Sequence, residues 1–564
     1  MDTSERLVES LERLGVERIF GYPGGRVIEL FDDLPESTIE LVRPRDEREA
    51  SVMAEMHGRL TGEPGVLAGQ GPWVGSLGLI GQMEARLASS PMVAITEASE
   101  RGNYSTIAPY QQSRGDYGGL ELPKILDAVT KEHWFPRTPT ETIRSVQLAF
   151  KHAVAGRPGP TAVILDGDAI TRDYSDDVLP PVWDEETQTR TWKAAPTPQD
   201  VAAAVEALEG AVRPVIVAGN GVHASGAYDE LQETAEAYNA AVVTSYLGKS
   251  TFPETHHLAG GVIGSFGHEG ANQLVSEADV LLVVGCRMNP MDTNWQAPEF
   301  IRPDEQTIIH ADIDPRNAGW VYPADVGLIG DAAESLRELV ASGGNETDWA
   351  ADRAQTARES FTAPECESDA APILPQRAVK EIERIVDEDT IVTADSGNNR
   401  FWLLNYLQVP AVQTYYGSGG VGGMGWATPA AVSAALATDK HVVGVAGDGG
   451  FAMTMTSVET AVEHDVAPTF VVLNDTSLGM VRQMQHGPDD ISGVEFHDTD
   501  FTRVAEAFGA NGIRVETPGE LGDALADAKG SGLPTVIDVR IDRDQNMAET
   551  LQSSFYASVG GLHE

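Results

Sequence analysis

With 86 acidic against 39 basic residues, the 564-residue chain carries a net charge of −47. That balance excludes a nucleic-acid binder, which needs basic patches, and the lack of any long apolar run predicts no membrane span. Only Cys286 and Cys366 are present, too few for a disulfide framework or a thiolate metal site and in keeping with a reducing cytoplasm.

In chain order, MDTSERLVESLERLG reads as a charged amphipathic helix and not as a signal peptide. A first α/β block over residues 1–180 carries the strand candidates RIFGY, IELV, GVLAGQ, PMVAIT and TAVILD. After the second of these a helix is predicted to begin at Glu47, a place where the helix dipole favours a carboxylate. The Pro-rich, acidic run DDVLPPVWDEETQTRTWKAAPTP reads as a linker. The second block, residues 196–345, has PVIVAGN, AAVVTS, DVLLVVG and QTIIHAD as strands. Its Gly219-Asn220-Gly221 turn has the form of a dinucleotide fingerprint, but no acidic residue ends the next strand to bind a ribose. His256 and His257 lack metal-ligand partners at suitable spacing and read as a loop feature. The polar segment SGGNETDWAADRAQTARES leads to a third block, residues 372–550, with DTIVTAD, VQTYY, HVVGVAG, PTFVVLN and LPTVIDVR as strands. Strands alternating with helices throughout predict an α/β protein of three doubly wound parallel-sheet domains, with ligand sites at the strand ends. The β-branched strand runs argue against disorder despite the charge. An acidic surface so widely dispersed, with little lysine, suits a salt-rich cytoplasm that screens its self-repulsion.

The most informative motif lies in the third block. Gly447-Asp448-Gly449 ends the run HVVGVAG, the helical stretch TMTSVETAVEHDV follows, and PTFVVLN ends at Asn474-Asp475. A strand–helix–strand unit of this kind crosses over right-handed and sets two parallel strands with their carboxyl ends on one edge. Asp448 and Asn474 then meet at the sheet's rim as one charged and one neutral oxygen donor. A hard cation such as Mg²⁺ takes such oxygens and shares its other positions with phosphates, while the glycines let backbone N–H groups approach those phosphates. The direct reading is a metal-bound diphosphate.

That spacing resembles the thiamine diphosphate signature, and other segments resemble acetolactate synthase in particular. RDEREASVMAEMHGRLTG is similar to the segment of that family carrying a glutamate that bonds to the cofactor's aminopyrimidine ring, which implies that role for Glu47. The cofactor's thiazolium carbon must lose a proton, and a buried carboxyl with a raised pKa is suited to trade it. Gly419-Gly420-Val421-Gly422-Gly423-Met424 resembles the glycine-rich stretch ahead of the Asp448 strand, and implies that Gly422 and Met424 lie against the cofactor, Met424 as a wedge beneath it. Gly449 and Gly450 belong to the same diphosphate turn. Asn398 and Asn399 stand where a related turn contacts the diphosphate, often with a histidine. In NDTSLGMVRQMQ, the resemblance implies that the Thr476 carbonyl completes the metal site with Asp448 and Asn474. It places Gly479 and Met480 near the cofactor, and Val481 and Met484 in the substrate pocket.

In the first block, Gly25 occupies the place where simple decarboxylases tend to carry Asp or Ser. Gln111, in a run resembling the family's Phe-Gln-Glu, points at the reacting centre by the same comparison. No paired histidines are present as acid catalysts, which favours carboligation over simple decarboxylation. Three departures stand out: Trp73 where the family has a glycine, Met484 where biosynthetic acetolactate synthases usually carry Trp, and a tail unlike theirs. The middle block resembles the domain that binds a structural flavin (FAD), although of the family's Arg-Phe-Asp-Asp-Arg run only Arg287 clearly survives. The resemblance implies a ThDP- and Mg²⁺-dependent enzyme that decarboxylates a 2-oxo acid such as pyruvate and joins the fragment to a second 2-oxo acid. The alternative is a non-ligating decarboxylase or a flavin-linked oxidase of the same superfamily. Because the family sandwiches each cofactor between one subunit's first block and another's third, it also implies a homodimer or homotetramer, and a regulatory subunit.

Overall fold

Every strand pairing in the computed structural model is parallel, over described residues 1–98, 119–175, 181–485 and 491–547. The first sheet comprises β1 (Arg18–Tyr22), β2 (Glu40–Val42), β3 (Gly65–Gly69), β4 (Met92–Ala98), β5 (Glu132–Trp134) and β6 (Pro160–Asp166), in the order β2-β1-β3-β4-β6-β5. The second holds β7 (Pro214–Ala218), β8 (Ala241–Thr244), β9 (Ala259–Val262), β10 (Val280–Val284), β11 (Thr307–Asp312) and β12 (Val326–Ile329), in the order β12-β11-β10-β7-β8-β9. In the third lie β13 (Thr390–Ala394), β14 (Tyr415–Gly417), β15 (His441–Gly447), β16 (Thr469–Asn474), β17 (Asn511–Val515) and β18 (Thr535–Arg540). Their order, β14-β13-β15-β16-β18-β17, repeats that of the first sheet step for step. Three α/β units of doubly wound type are therefore present.

The strands that the sequence did not reveal, β5, β9, β12 and β17, all lie at a sheet edge. An edge strand has one neighbour and one open side, so it need not form the continuous apolar run of a buried parallel strand. β5, β12 and β17 are mostly half-exposed, and β9 (AGGV) is buried but glycine-rich. Two further readings are corrected. The first linker contains a short helix, Glu185–Thr189, whose buried Glu185 accepts from Ser10 Oγ (2.8 Å) and Arg6 Nη2 (2.9 Å). The polar segment after residue 342 contains the helix Trp349–Arg358, which buries Ala350, Ala354 and Ala357 on one face against the middle unit's core. The stretch TMTSVETAVEHDV holds the helix Ser457–Glu463, set off by a break from the short helix Asp448–Thr454 before it. Thr454 Oγ1 donates to the Gly425 carbonyl and Thr456 Oγ1 to Glu49, tethering the break to two neighbours.

The first and third units share one hydrophobic cluster, in which Phe20, Met53 and Leu67 join Ile391, Trp426 and Val472. The contact runs between the helices Glu47–Thr61 and Ala427–Ala437. The second is mostly alanine and is buried from Ala427 to Ala434, a stretch that holds only Ala, Val, Ser, Thr and Pro429. Small side chains permit that close approach, and Ser433 Oγ donates to the Met53 carbonyl across it (2.7 Å). Among the described residues no helix is long and apolar enough to cross a membrane.

Candidate active site

At the carboxyl ends of β13, β15 and β16 lies a cavity of about 310 Å³, and every described residue lining it falls between Pro375 and Gln545. Asp448 opens the helix Asp448–Thr454 and is buried. Its Oδ1 accepts from the Gly449 N–H (2.7 Å) and its Oδ2 from the Ser477 N–H (3.1 Å). Burial first, then the nearby Asp475 carboxylate, push its pKa up to about 7 against those hydrogen bonds. Asn474 ends β16. Its Nδ2 donates to Asp538 (2.8 Å), which fixes the amide so that Oδ1 accepts from the Thr476 N–H (3.1 Å). Thr476 is held at φ +58°, unusual for a β-branched residue, and its carbonyl accepts from the Phe496 N–H (2.9 Å). The Ser477 N–H thus ties the Asp448 carboxylate to the neighbouring turn that carries the Asn474 amide oxygen and the Thr476 carbonyl, although Asn474 and Thr476 sit behind the cavity wall and Asp475 and Ser477 line it.

The glycines of this site are set by space. A Cβ on Gly450 would lie 2.1 Å from Asp395 Oδ2, one on Gly449 would lie 3.1 Å from the Met424 methyl, and one on Gly479 would lie 2.7 Å from Asp475 Oδ2. Asp395, fully buried at the end of β13, accepts from the Gly425 N–H (2.9 Å), the Trp426 N–H (3.1 Å) and the Ser396 N–H (2.9 Å). Burial pushes its pKa up to about 6 despite these bonds. It holds the Met424 turn against Gly450 of the Asp448 turn, a role with no local pattern because two of its partners are backbone amides about thirty residues away. Of the two asparagines, Asn399 spends its amide N–H on the Asp395 carbonyl (2.8 Å). Asn398 lines the cavity, and its buried Oδ1 makes no hydrogen bond among the described residues. Met480 and Val481 line the cavity too, Val481 exposed; Met484, at the end of the helix Gly479–Met484, is exposed and is not among the lining residues.

The donor set suits a cation-held diphosphate. It offers three oxygens, one of them charged, beside glycines that leave no room for side chains. Among the described residues no group of three His, Cys, Asp or Glu side chains could hold a metal alone, so a cation here would depend on oxygens brought by the diphosphate.

Glu47 lies elsewhere within the chain. It opens the helix Glu47–Thr61, N-capped by Asp46, and is buried, with its Cγ 3.6 Å from where a Cβ on Gly69 would stand. Burial pushes its pKa up, with Asp46 adding to the effect. Gly25 is left-handed (φ +58°), and a Cβ there would lie 2.4 Å from Oε1 of Glu97, a buried carboxyl at the end of β4 that sequence reasoning missed. Trp73 is 45% exposed, with its indole N–H donating to Gln70 Oε1 (3.0 Å). Gln111 lies outside the described residues.

A larger cavity, about 1080 Å³, opens between all three units and is lined by Asn220, Gly221, Arg157, Arg287, Asp312 and Asn317 among others. The Gly221 Cα would be 2.5 Å from a Cβ on Gly285, so the fingerprint turn is closely packed. An acidic residue that lines this cavity, Asp312, ends β11, two strands across the sheet from β7.

Comparison with known proteins agrees with this arrangement. Three family models of the thiamine pyrophosphate enzymes match the chain: the N-terminal TPP binding domain over residues 1–118, the central domain over 201–339 and the C-terminal TPP binding domain over 395–539. The probable acetolactate synthase large subunit of Methanocaldococcus jannaschii is 33% identical over 96% of this chain and 92% of its own length. The acetolactate synthase isozyme 3 large subunit of Escherichia coli is 32% identical over 93% and 92%, and the acetolactate synthase large subunit of Corynebacterium glutamicum 31% identical over 96% and 87%. The chain belongs to the thiamine pyrophosphate enzyme family, alongside the acetolactate synthase large subunits.

Proposed function

We propose that this protein catalyses the decarboxylation of a 2-oxo acid, pyruvate above all, with ligation of the fragment to a second 2-oxo acid, so that two pyruvates give acetolactate. The observation that carries the reading is the buried Asp448 carboxylate, raised to about 7 and hydrogen-bonded to the neighbouring turn that carries the Asn474 and Thr476 oxygens. Thiamine diphosphate, when bound, supplies the nucleophilic carbon and the electron sink that such a decarboxylation needs. Asp448, Asn474 and the Thr476 carbonyl would hold Mg²⁺. Asn398 and the N–H groups of Gly449, Gly450 and Gly479 would meet the diphosphate. Asn399 acts from behind, through Asp395. Met424, Gly422 and Met480 shape the cofactor's seat. Glu47, its carboxyl pKa raised by burial, would exchange a proton with the far end of the cofactor. Gly25, Trp73, Gln111, Val481 and Met484 border the substrate.

Two sets of exposed apolar side chains support a homodimer or higher even oligomer: Tyr22, Ile28, Trp73 and Leu77 on the first unit, and Val421, Met453, Val481, Met484 and Phe496 on the third. Exposed apolar patches of this kind mark interaction surfaces, and the one-sided Asp448 cavity needs a partner to close it. The working units are taken as residues 1–180, 196–345 and 372–550. FAD would fit the large cavity, with Asp312 toward a ribose and Arg157 and Arg287 toward phosphates. The printed names of the relatives, as large subunits, support a small regulatory partner. Cys286 and Cys366 are both free and buried, which suits a reducing cytoplasm.

Incubation with pyruvate, thiamine diphosphate and Mg²⁺, followed by acidification, should yield acetoin. Acetaldehyde without acetoin would replace ligation by simple decarboxylation, and hydrogen peroxide would replace it by oxidation. A flavin spectrum of the purified protein decides the occupant of the large cavity.

A further inference from the structure

The two cavities share one wall. Gly419 to Gly422 line the larger and Gly422 and Met424 the smaller, so residues 419–424 stand between them. This strip belongs to no strand or helix, and its N–H groups have no ladder partners. What holds it comes from the first unit. Glu84, on the helix Leu79–Ala88, is buried and turns its carboxylate into the strip. Oε1 accepts from the N–H groups of Gly419 (3.1 Å) and Gly420 (2.8 Å), and Oε2 from those of Val421 (2.7 Å) and Gly422 (3.4 Å). Oε1 also accepts from Arg59 Nη2 (2.9 Å). Burial alone would raise this carboxyl, but the Arg59 guanidinium and the Gly420 and Val421 amides outweigh it and hold the pKa below the ordinary value. Arg59 donates in turn to the Gly417 carbonyl (2.8 Å), pairs with Glu55 and lies over the Trp426 ring, whose N–H donates to Glu55 (2.8 Å). Both ends of the strip are thereby fastened to the helix that opens with Glu47.

We propose that Glu84 is a positioning residue for the cofactor: it acts as a built-in anion that seats the strip carrying Gly422 and Met424. The proposal rests on the reading of the Asp448 cavity as the thiamine diphosphate site. A carboxylate is needed for a countable reason. Both of its oxygens accept, and between them they take the four N–H groups of the strip and Arg59, whereas a glutamine offers one acceptor oxygen and an NH₂ that would face N–H donors. Glu84→Gln therefore loses the Val421 and Gly422 contacts or the Gly419 and Gly420 contacts, while Arg59 keeps Glu55 and is not left as an unpaired buried charge.

The test is titration calorimetry of dialysed protein with thiamine diphosphate and Mg²⁺, alongside amide hydrogen exchange. Wild type should bind, and E84Q should bind at least about tenfold more weakly, the scale seen when a supporting partner of a bound group is removed. At saturating cofactor its kcat should return to near the wild-type value, and exchange should quicken at residues 419–424 but not along β13. Wild-type affinity and unchanged exchange in E84Q would overturn the proposal. If E84Q does not fold, the cofactor-free wild type still decides: slow exchange at Gly419–Gly422 is expected, and exchange at the free-peptide rate would overturn it. Failure of wild type itself to bind thiamine diphosphate would instead remove the reading on which the proposal rests.

Discussion

Asp448 carries the largest electrostatic strain in the described site. Buried and beside Asp475, its carboxyl sits near pKa 7, far above the ordinary aspartate value of about 3.9. A folded-state pKa raised in this way favours the protonated form. The side chain is therefore least costly below its unfolded pKa, and stability is lost as the pH climbs through the folded value. Asp448→Asn removes this titration. The melting temperature of the cofactor-free variant, measured against cofactor-free wild type, should accordingly shift in the variant's favour between pH 5 and pH 8. A gap that does not change with pH would mean that Asp448 is not strained. In wild type a cation must displace the same proton, so apparent Mg²⁺ affinity should fall about tenfold per unit below pH 7. Asp448 and Asn474 were legible in the sequence because strand, turn and spacing are local. Glu84, Glu97 and Asp395 were not, since each is defined by a contact with backbone far away in the chain or on another element, and a lone acidic residue in an apolar helix or strand end has no pattern of its own.

The same distinction holds for whole elements. Buried strands such as β10 (VLLVV) and β16 (TFVVLN) announce themselves, because both faces are covered and the run is continuously apolar. The helix Trp349–Arg358 did not, because the side chains it buries are all alanines, set among polar and charged neighbours that give no strong apolar stripe. Its alanines let it approach the helix Glu269–Glu277 so closely that a Cβ on Gly270 would lie 2.5 Å from the Ala357 Cα. Backbone stands in that space, with no flexible side-chain tip to yield. Gly270→Ala should destabilise the protein by about 1–3 kcal/mol, the usual cost of overpacking, as read from denaturant midpoints, whereas the same change at the open Gly519, which has nothing within 4 Å, should not. Equal midpoints for the two variants would show that this helix does not pack as described.

At the scale of the molecule, the first and third units have one topology and one shared core, yet among the described residues Glu47 and the Asp448 cavity do not meet. The Asp448 cavity is lined, among the described residues, only by the third unit, and Glu47 is not among its walls. Helix Glu47–Thr61 is instead engaged with its own chain's third unit through Glu55, Arg59 and Glu84 at one end. At the other, Arg45 pairs with Glu459 and Glu463. If each cofactor is gripped by Glu47 of one subunit and Asp448 of the next, two variants that are each inactive should complement. Glu47→Gln should abolish turnover by removing the proton that the carboxyl exchanges, and Asp448→Ala by removing the charged metal ligand. In a mixed dimer with two-fold symmetry broken only by the variants, one site receives both defects and the other receives none. Random mixing makes half the dimers mixed, each with one intact site, so unfolding and refolding the two proteins together should restore about a quarter of wild-type activity. Sites built within one chain would leave every site with a defect, and the mixture would stay inactive. Refolding each variant alone gives the baseline, and sedimentation confirms that dimers have re-formed, so that a silent mixture of dimers would count directly against a site shared between subunits.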